Sequence, residues 1–155
     1  LACTPLQKLL GWSWTLRVRR MLGLFAFAYA TLHLGVYAGL DQELDWPLIV
    51  EDITQRKFAL VGFSAWLLMV PLAVTSTQKM LQRLRFQRWK ALHRLAYVCA
   101  ALGLIHFGWR VKADLSEPLR FAGVFALLMA ARLVVYLRER RGQAALAAPG
   151  VAAPR

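Results

Sequence analysis

Ala91-Leu-His-Arg-Leu-Ala-Tyr-Val-Cys-Ala-Ala-Leu-Gly-Leu-Ile-His-Phe-Gly-Trp109 decides how this chain is read. The stretch is almost wholly apolar, yet it holds His93 near one end and His106 near the other. The third and last histidine, His33, sits in another apolar run, Met21–Leu40, which is 20 residues without a charge. About 20 apolar residues suffice for a helix to cross the roughly 30 Å hydrocarbon layer of a bilayer. Two further runs qualify, Phe58–Thr75 and Leu119–Leu137. The expected fold is therefore all-α, an integral membrane helical bundle. Its four complete spans lie at about 21–40, 58–75, 91–109 and 119–137.

Composition agrees. Of the 155 residues, 59% are hydrophobic, and the mean hydropathy is +0.45; both are too apolar for an ordinary soluble domain. The net charge of +12 would ordinarily raise nucleic acid as a partner. Here the cations stand in short blocks between apolar runs, the pattern that orients membrane proteins, and nucleic acid is set aside. Lys8, Arg17, Arg19 and Arg20 precede the first span, with Trp12 and Trp14 suited to the headgroup level. Lys79, Arg83, Arg85, Arg88 and Lys90 lie between the second and third. More cations follow the fourth, where Arg132 is near enough to the span's end for its charge to snorkel out. This alternation puts residues 1 and 155 on the cytoplasmic side. Loop 41–57, rich in Asp and Glu, then faces the periplasm of a bacterium.

Within that loop, Asp45-Trp-Pro47 looks like a cap and a first-turn proline. A short interfacial helix using Leu48, Ile49 and Ile53 and a plain connecting loop both remain open. Trp66 falls in the middle of the second span, Pro71 could kink it, and Thr75-Ser-Thr-Gln78 either ends it or caps the next element. Residues 142–155, mostly Ala, Pro and Gly, read as a disordered cytoplasmic tail. Leu1–Leu6 reads as the end of an apolar helix closed by Pro5. With no initiator Met and no signal-peptide pattern, membrane-spanning sequence is expected upstream, leaving residues 1–141 an N-terminally incomplete domain. Cys3 and Cys99 have no metal-binding or disulfide spacing and read as small buried residues.

An ionisable side chain inside a span is a functional hypothesis by default, although one histidine can simply hydrogen-bond between helices. Depth discriminates. Counted from the cytoplasmic ends of their spans, His33 lies about 18 Å in, His106 about 22 Å and His93 about 3 Å, at 1.5 Å per residue. His33 and His106 match to within a helix turn, so they can take both axial positions of one haem iron. His93 lies at the other face without a partner histidine. It could ligate a second haem, touch a flavin or quinone, or only hydrogen-bond. The spans hold no carboxylate, which disfavours zinc and ion-coupled transport. No GxGxxG or phosphate-binding loop is present, so no nicotinamide domain is expected in this chain.

Four motifs carry a family likeness. Arg19-Arg-Met-Leu-Gly-Leu-Phe-Ala-Phe-Ala-Tyr-Ala-Thr-Leu-His33, Thr75-Ser-Thr-Gln78, Arg88-Trp-Lys-Ala-Leu-His-Arg-Leu-Ala-Tyr97 and Ile105-His-Phe-Gly-Trp109 resemble the MsrQ family. That family is the haem-binding membrane subunit of the periplasmic methionine sulfoxide reductase system, in the ferric-reductase-like transmembrane group. The resemblance covers about residues 1–141. It implies a six-helix haem b protein of which these are the last four spans. It also implies haem ligation by His33, His93 and His106, and an association with FMN. Electrons would pass from the quinone pool or a cytosolic flavin reductase to a periplasmic molybdopterin reductase, with catalysis in that separate chain. Arg19 and Arg20 are candidates for haem propionate or flavin phosphate, although such cations more often set topology. Two rival readings stand beside this one: a ferric or quinone reductase of the same group, and a non-redox membrane protein whose histidines only pack helices.

Overall fold

The computed structural model describes residues 2–111 and 114–147. Every regular element among them is helical: α1 Cys3–Leu10, α2 Trp14–Val36, α3 Trp46–Gln55, α4 Lys57–Val74, α5 Gln78–Leu92, α6 Leu95–Arg110 and α7 Ser116–Ala147. Three stretches are long and apolar enough to cross a membrane: Arg17–Asp41, Lys57–Val74 and Ser116–Gln143. α5 and α6, bent by 42° at the break between them, make a fourth crossing if the pair is one broken span. Neighbours form a circuit in which α2 packs on α4, α4 on α6, α6 on α7, and the short α1 joins α7 to α2. The most extensive pair is α4 with α6. Their buried residues, Ala65 and Cys99, are small, which lets helices approach closely in a membrane. Large side chains such as Leu32, Tyr29 and Leu127 point outward. That arrangement carries no penalty in lipid, which is as apolar as they are.

The structure corrects several boundaries. Pro5 opens α1 rather than closing a helix, because first-turn amides have no intrahelical acceptor and proline loses nothing there. α1 stops instead at Gly11, whose φ of +73° and N–H bond to the Gln7 carbonyl (2.9 Å) make a left-handed cap. Loop 41–57 resolves to the helix reading. The Asp45 carboxylate accepts from the Leu48 N–H at 3.1 Å, with Pro47 in the first turn. Only Ile49 of the three expected surface residues is buried, beside Asp52. α4 runs through Pro71 to Val74. The Thr75 and Ser76 hydroxyls then donate to the Pro71 and Leu72 carbonyls (both 2.6 Å), while Thr77 caps α5. The quartet 75–78 therefore both ends one helix and starts the next.

The third span, expected at 91–109, is bent near its start: α5 ends at Leu92, α6 begins at Leu95, and His93 and Arg94 occupy the break. α7 continues to Ala147, where a tail was expected. Gln143 and the alanines after it are good helix formers, and Gly142 costs only about 1 kcal/mol; the rest of that expectation, 148–155, lies outside the described residues. Arg132 donates to the Tyr97 hydroxyl in the first turn of α6, and its guanidinium lies 5.0 Å from the Tyr97 ring centroid, a cation–π contact.

At the start of α7, the Asp114 carboxylate accepts from the Ser116 N–H (2.8 Å) and hydroxyl (2.9 Å). These bonds hold its carboxyl below its ordinary value. A depressed carboxylate stabilises the fold above its unfolded pKa, and that contribution disappears as pH falls through the folded value. We expect the Ser116 amide resonance to titrate with a midpoint below about 3.9, the ordinary aspartate value. A midpoint at or above it would contradict the contact.

Candidate functional site

His33, on the last full turn of α2, and His106, late in α6, are brought together across the bundle. Their ring centroids are 6.2 Å apart and their planes cross at 73°. α4 supports this pair. The Phe58 carbonyl, in the first turn of α4, lies 2.8 Å from His106 Nδ1. A carbonyl only accepts, so Nδ1 carries the proton and Nε2 keeps its lone pair. The His106 ring also packs so closely on Gly62 that a Cβ there would sit 2.5 Å from Nδ1 and 2.7 Å from Cε1. The Phe58 ring lies 6.2 Å away at 49°. His106 is thus held by a fixed tautomer and a fixed wall, whereas His33 is exposed.

His93 is separate: it lies in the break before α6, about 20 Å of helix from His106. Its Nδ1 donates to the Trp89 carbonyl at 3.1 Å, so here too Nε2 holds the lone pair. That Nε2 is buried and makes no hydrogen bond of ordinary geometry, and the Leu72 backbone is a weaker hydrogen-bonding neighbour of the ring. A buried unpaired acceptor costs about 1–3 kcal/mol. Such an atom suits a Lewis-acid partner, as does the pre-set Nε2 of His106. On both observations the histidines fit a haem iron, which takes neutral imidazole. Among the described residues no group of three His, Cys, Asp or Glu side chains could hold a metal ion by itself.

Arg19 and Arg20 are both exposed on the first turns of α2. They diverge: Arg19 is close enough for its charge to act on His93, whereas Arg20 joins Arg17 over an open groove walled by Met21, Leu24, Phe25 and Ala28.

Other functional features were not anticipated from the sequence. Gly62 was one, and its only signal was a glycine inside an apolar span. A second is the network around α3 in which Tyr37 donates to Asp52 (2.8 Å) and Arg56 pairs with the same carboxylate (2.6 Å). Tyr37 begins a π-helical turn, Tyr37–Asp41, and such turns gather at functional positions. Trp66, in sequence only a mid-span aromatic, donates to the Thr31 hydroxyl at 3.0 Å and so ties α4 to α2.

A membrane-spanning helical bundle with histidines paired across two helices defines the class, and sequence comparison agrees. Residues 1–104 match the family model for the ferric reductase like transmembrane component. A Rhodospirillum rubrum protein is 57% identical over 141 residues, covering 91% of this chain and 68% of that protein. Relatives from Xanthomonas campestris pv. campestris and Xanthomonas oryzae pv. oryzae are 48% and 46% identical, each over 100% of this chain and 71% of their own length. All three carry the name protein-methionine-sulfoxide reductase heme-binding subunit MsrQ. The chain belongs to the MsrQ family of ferric-reductase-like transmembrane proteins. No solved structure matches it.

Proposed function

We propose that this chain is a haem b electron-transfer subunit, with residues 1–141 as its haem domain. The observation that carries the proposal is the His33–His106 pair, with the His106 Nδ1–H committed to Phe58 and its Nε2 left for a ligand. His33 and His106 would hold an outer haem, and His93 would hold an inner, cytoplasmic-side haem. Bound haem supplies one-electron chemistry. The chain's own residues fix the tautomers of His106, through the Phe58 carbonyl, and of His93, through the Trp89 carbonyl.

Electrons enter from the quinone pool or a cytosolic flavin reductase. They leave to a periplasmic molybdopterin reductase that repairs oxidised methionine, so catalysis belongs to a partner chain. The inner membrane of a bacterium is the location, with residues 1 and 155 on the cytoplasmic side, as the cation blocks favour. Asp41, Glu43, Asp45 and Glu51 are exposed around α3 and offer the partner an acidic docking surface. FMN rests on the family resemblance. The Arg17/Arg20 groove, two guanidiniums above an apolar wall, has the chemistry for an anionic head on an apolar body. The ferric-reductase match favours one second reading, direct reduction of ferric chelates. Reoxidation of the reduced haem by such chelates rather than by the periplasmic partner would select it.

The primary test is an optical spectrum of the full-length protein in detergent after haem-replete expression. A b-type Soret band is expected, with its outer-haem component removed by His33→Ala and by His106→Ala. Absence of the band overturns the haem reading; a band indifferent to both substitutions overturns the pairing.

A further inference from the structure

Trp89 stands four residues before His93 and touches it from two directions. The indole and imidazole rings are stacked, with centroids 3.9 Å apart and planes at 25°. The Trp89 carbonyl accepts both the His93 backbone N–H (3.0 Å) and the His93 Nδ1–H (3.1 Å). The indole is itself anchored, because Nε1–H donates to the Thr75 carbonyl at 2.9 Å. Thr75 is buried where α4 ends.

These contacts divide the work of fixing a ring. The torsion that turns an imidazole about its Cβ–Cγ bond is broad and soft. A face at stacking distance blocks that rotation, since a turned ring would drive its edge into the indole. The Nδ1 hydrogen bond chooses between the two flipped orientations, because only one puts a nitrogen at the carbonyl. The tie to Thr75 prevents the indole from following the imidazole. Together they leave Nε2 buried and without a hydrogen bond of ordinary geometry, beside the Leu72 backbone.

We propose that Trp89 is the positioning residue for His93: its indole, pinned to Thr75, holds the imidazole plane so that Nε2 is presented to a ligand. This rests on the reading of His93 as a haem ligand. Outer-shell groups that orient a ligating histidine commonly change metal affinity by 10–100-fold when removed. The Trp89 side chain acts on the ring's plane, whereas the backbone carbonyl that selects the tautomer survives any substitution. The two effects can therefore be separated.

The experiment uses the full-length protein purified in detergent. Haem per protein and the low-temperature electron paramagnetic resonance spectrum of the ferric form are measured. His93→Ala and His106→Ala identify which spectral component depends on which histidine. In Trp89→Leu, the His93-dependent component is expected to lose haem with about 10–100-fold weaker affinity, while the His106-dependent component keeps its occupancy and line positions. Trp89→Phe retains a stacking face but lacks the indole N–H. It is expected to recover occupancy, with the His93-dependent lines shifted from wild type. An unchanged His93-dependent component in Trp89→Leu overturns the proposal while leaving His93 a ligand. Loss of both components together assigns Trp89 to general folding and also overturns it. If His93→Ala itself leaves the spectrum unchanged, the ligand reading fails and the proposal fails with it.

Discussion

Gly62→Ala is expected to abolish the haem proposed at His33 and His106 as completely as His106→Ala does. The added methyl would stand 2.5 Å from His106 Nδ1 and 2.7 Å from Cε1, closer than atoms tolerate. The ring cannot simply swing aside, because Nδ1 is hydrogen-bonded to the Phe58 carbonyl on the same helix as Gly62. Relief requires breaking that bond or pushing α6 from α4, and overpacking of this kind costs about 1–3 kcal/mol. Either movement takes Nε2 away from His33. Gly103→Ala is the control: it lies on α6, but an added Cβ meets nothing within 4 Å, and its haem content should equal that of wild type. Haem per protein and the Soret maximum report the result. Full haem content in Gly62→Ala would show that the His106 ring is not seated against α4.

Asp52→Ala should be the most damaging single change in the segment 41–57. The carboxylate is buried, accepts from the Tyr37 hydroxyl, and pairs with Arg56. Hydrogen bonds to a charged group are worth about 1.5–3 kcal/mol, and removing this one also leaves the Tyr37 hydroxyl without its acceptor. Arg56 loses less, because its side chain is 63% exposed and water replaces the carboxylate. Stability to thermal unfolding in detergent should therefore fall by about 1.5–3 kcal/mol for Asp52→Ala. Tyr37→Phe should cost less, and the double variant less than the sum of the two, since they share one interaction. Additive losses would mean that Tyr37 and Asp52 do not act together.

The crossing segments were legible because hydropathy in a membrane is nearly a direct readout of topology, and Lys57–Val74 falls within a residue of expectation. The break at His93 was not. His93 and Arg94 keep right-handed backbone angles, and neither is a glycine or proline that would mark a bend. The pairing of His33 with His106 followed from counting along two helices. Their supports did not follow, because Phe58 contributes a backbone carbonyl and Gly62 the absence of a side chain. Neither contribution has a signature in residue type. Trp89 was within reach, since residues four apart share a helix face, but it stands between Arg88 and Lys90 in a segment whose dominant signal is charge. The contact of Arg132 with Tyr97 was hidden because the two lie 35 residues apart in sequence.

α4 has no histidine, yet one of its ends meets His106 through Phe58 and the other meets Trp89, and so His93, through Thr75. Phe58 and Thr75 are about 26 Å apart on a straight helix. α4 is thus a ruler laid between two sites it does not itself furnish, and the spacing of those sites is written in its residue count. A single residue inserted between Gly62 and Thr75 would advance one carbonyl by about 1.5 Å and turn it by about 100°. One site could then be met, but not both.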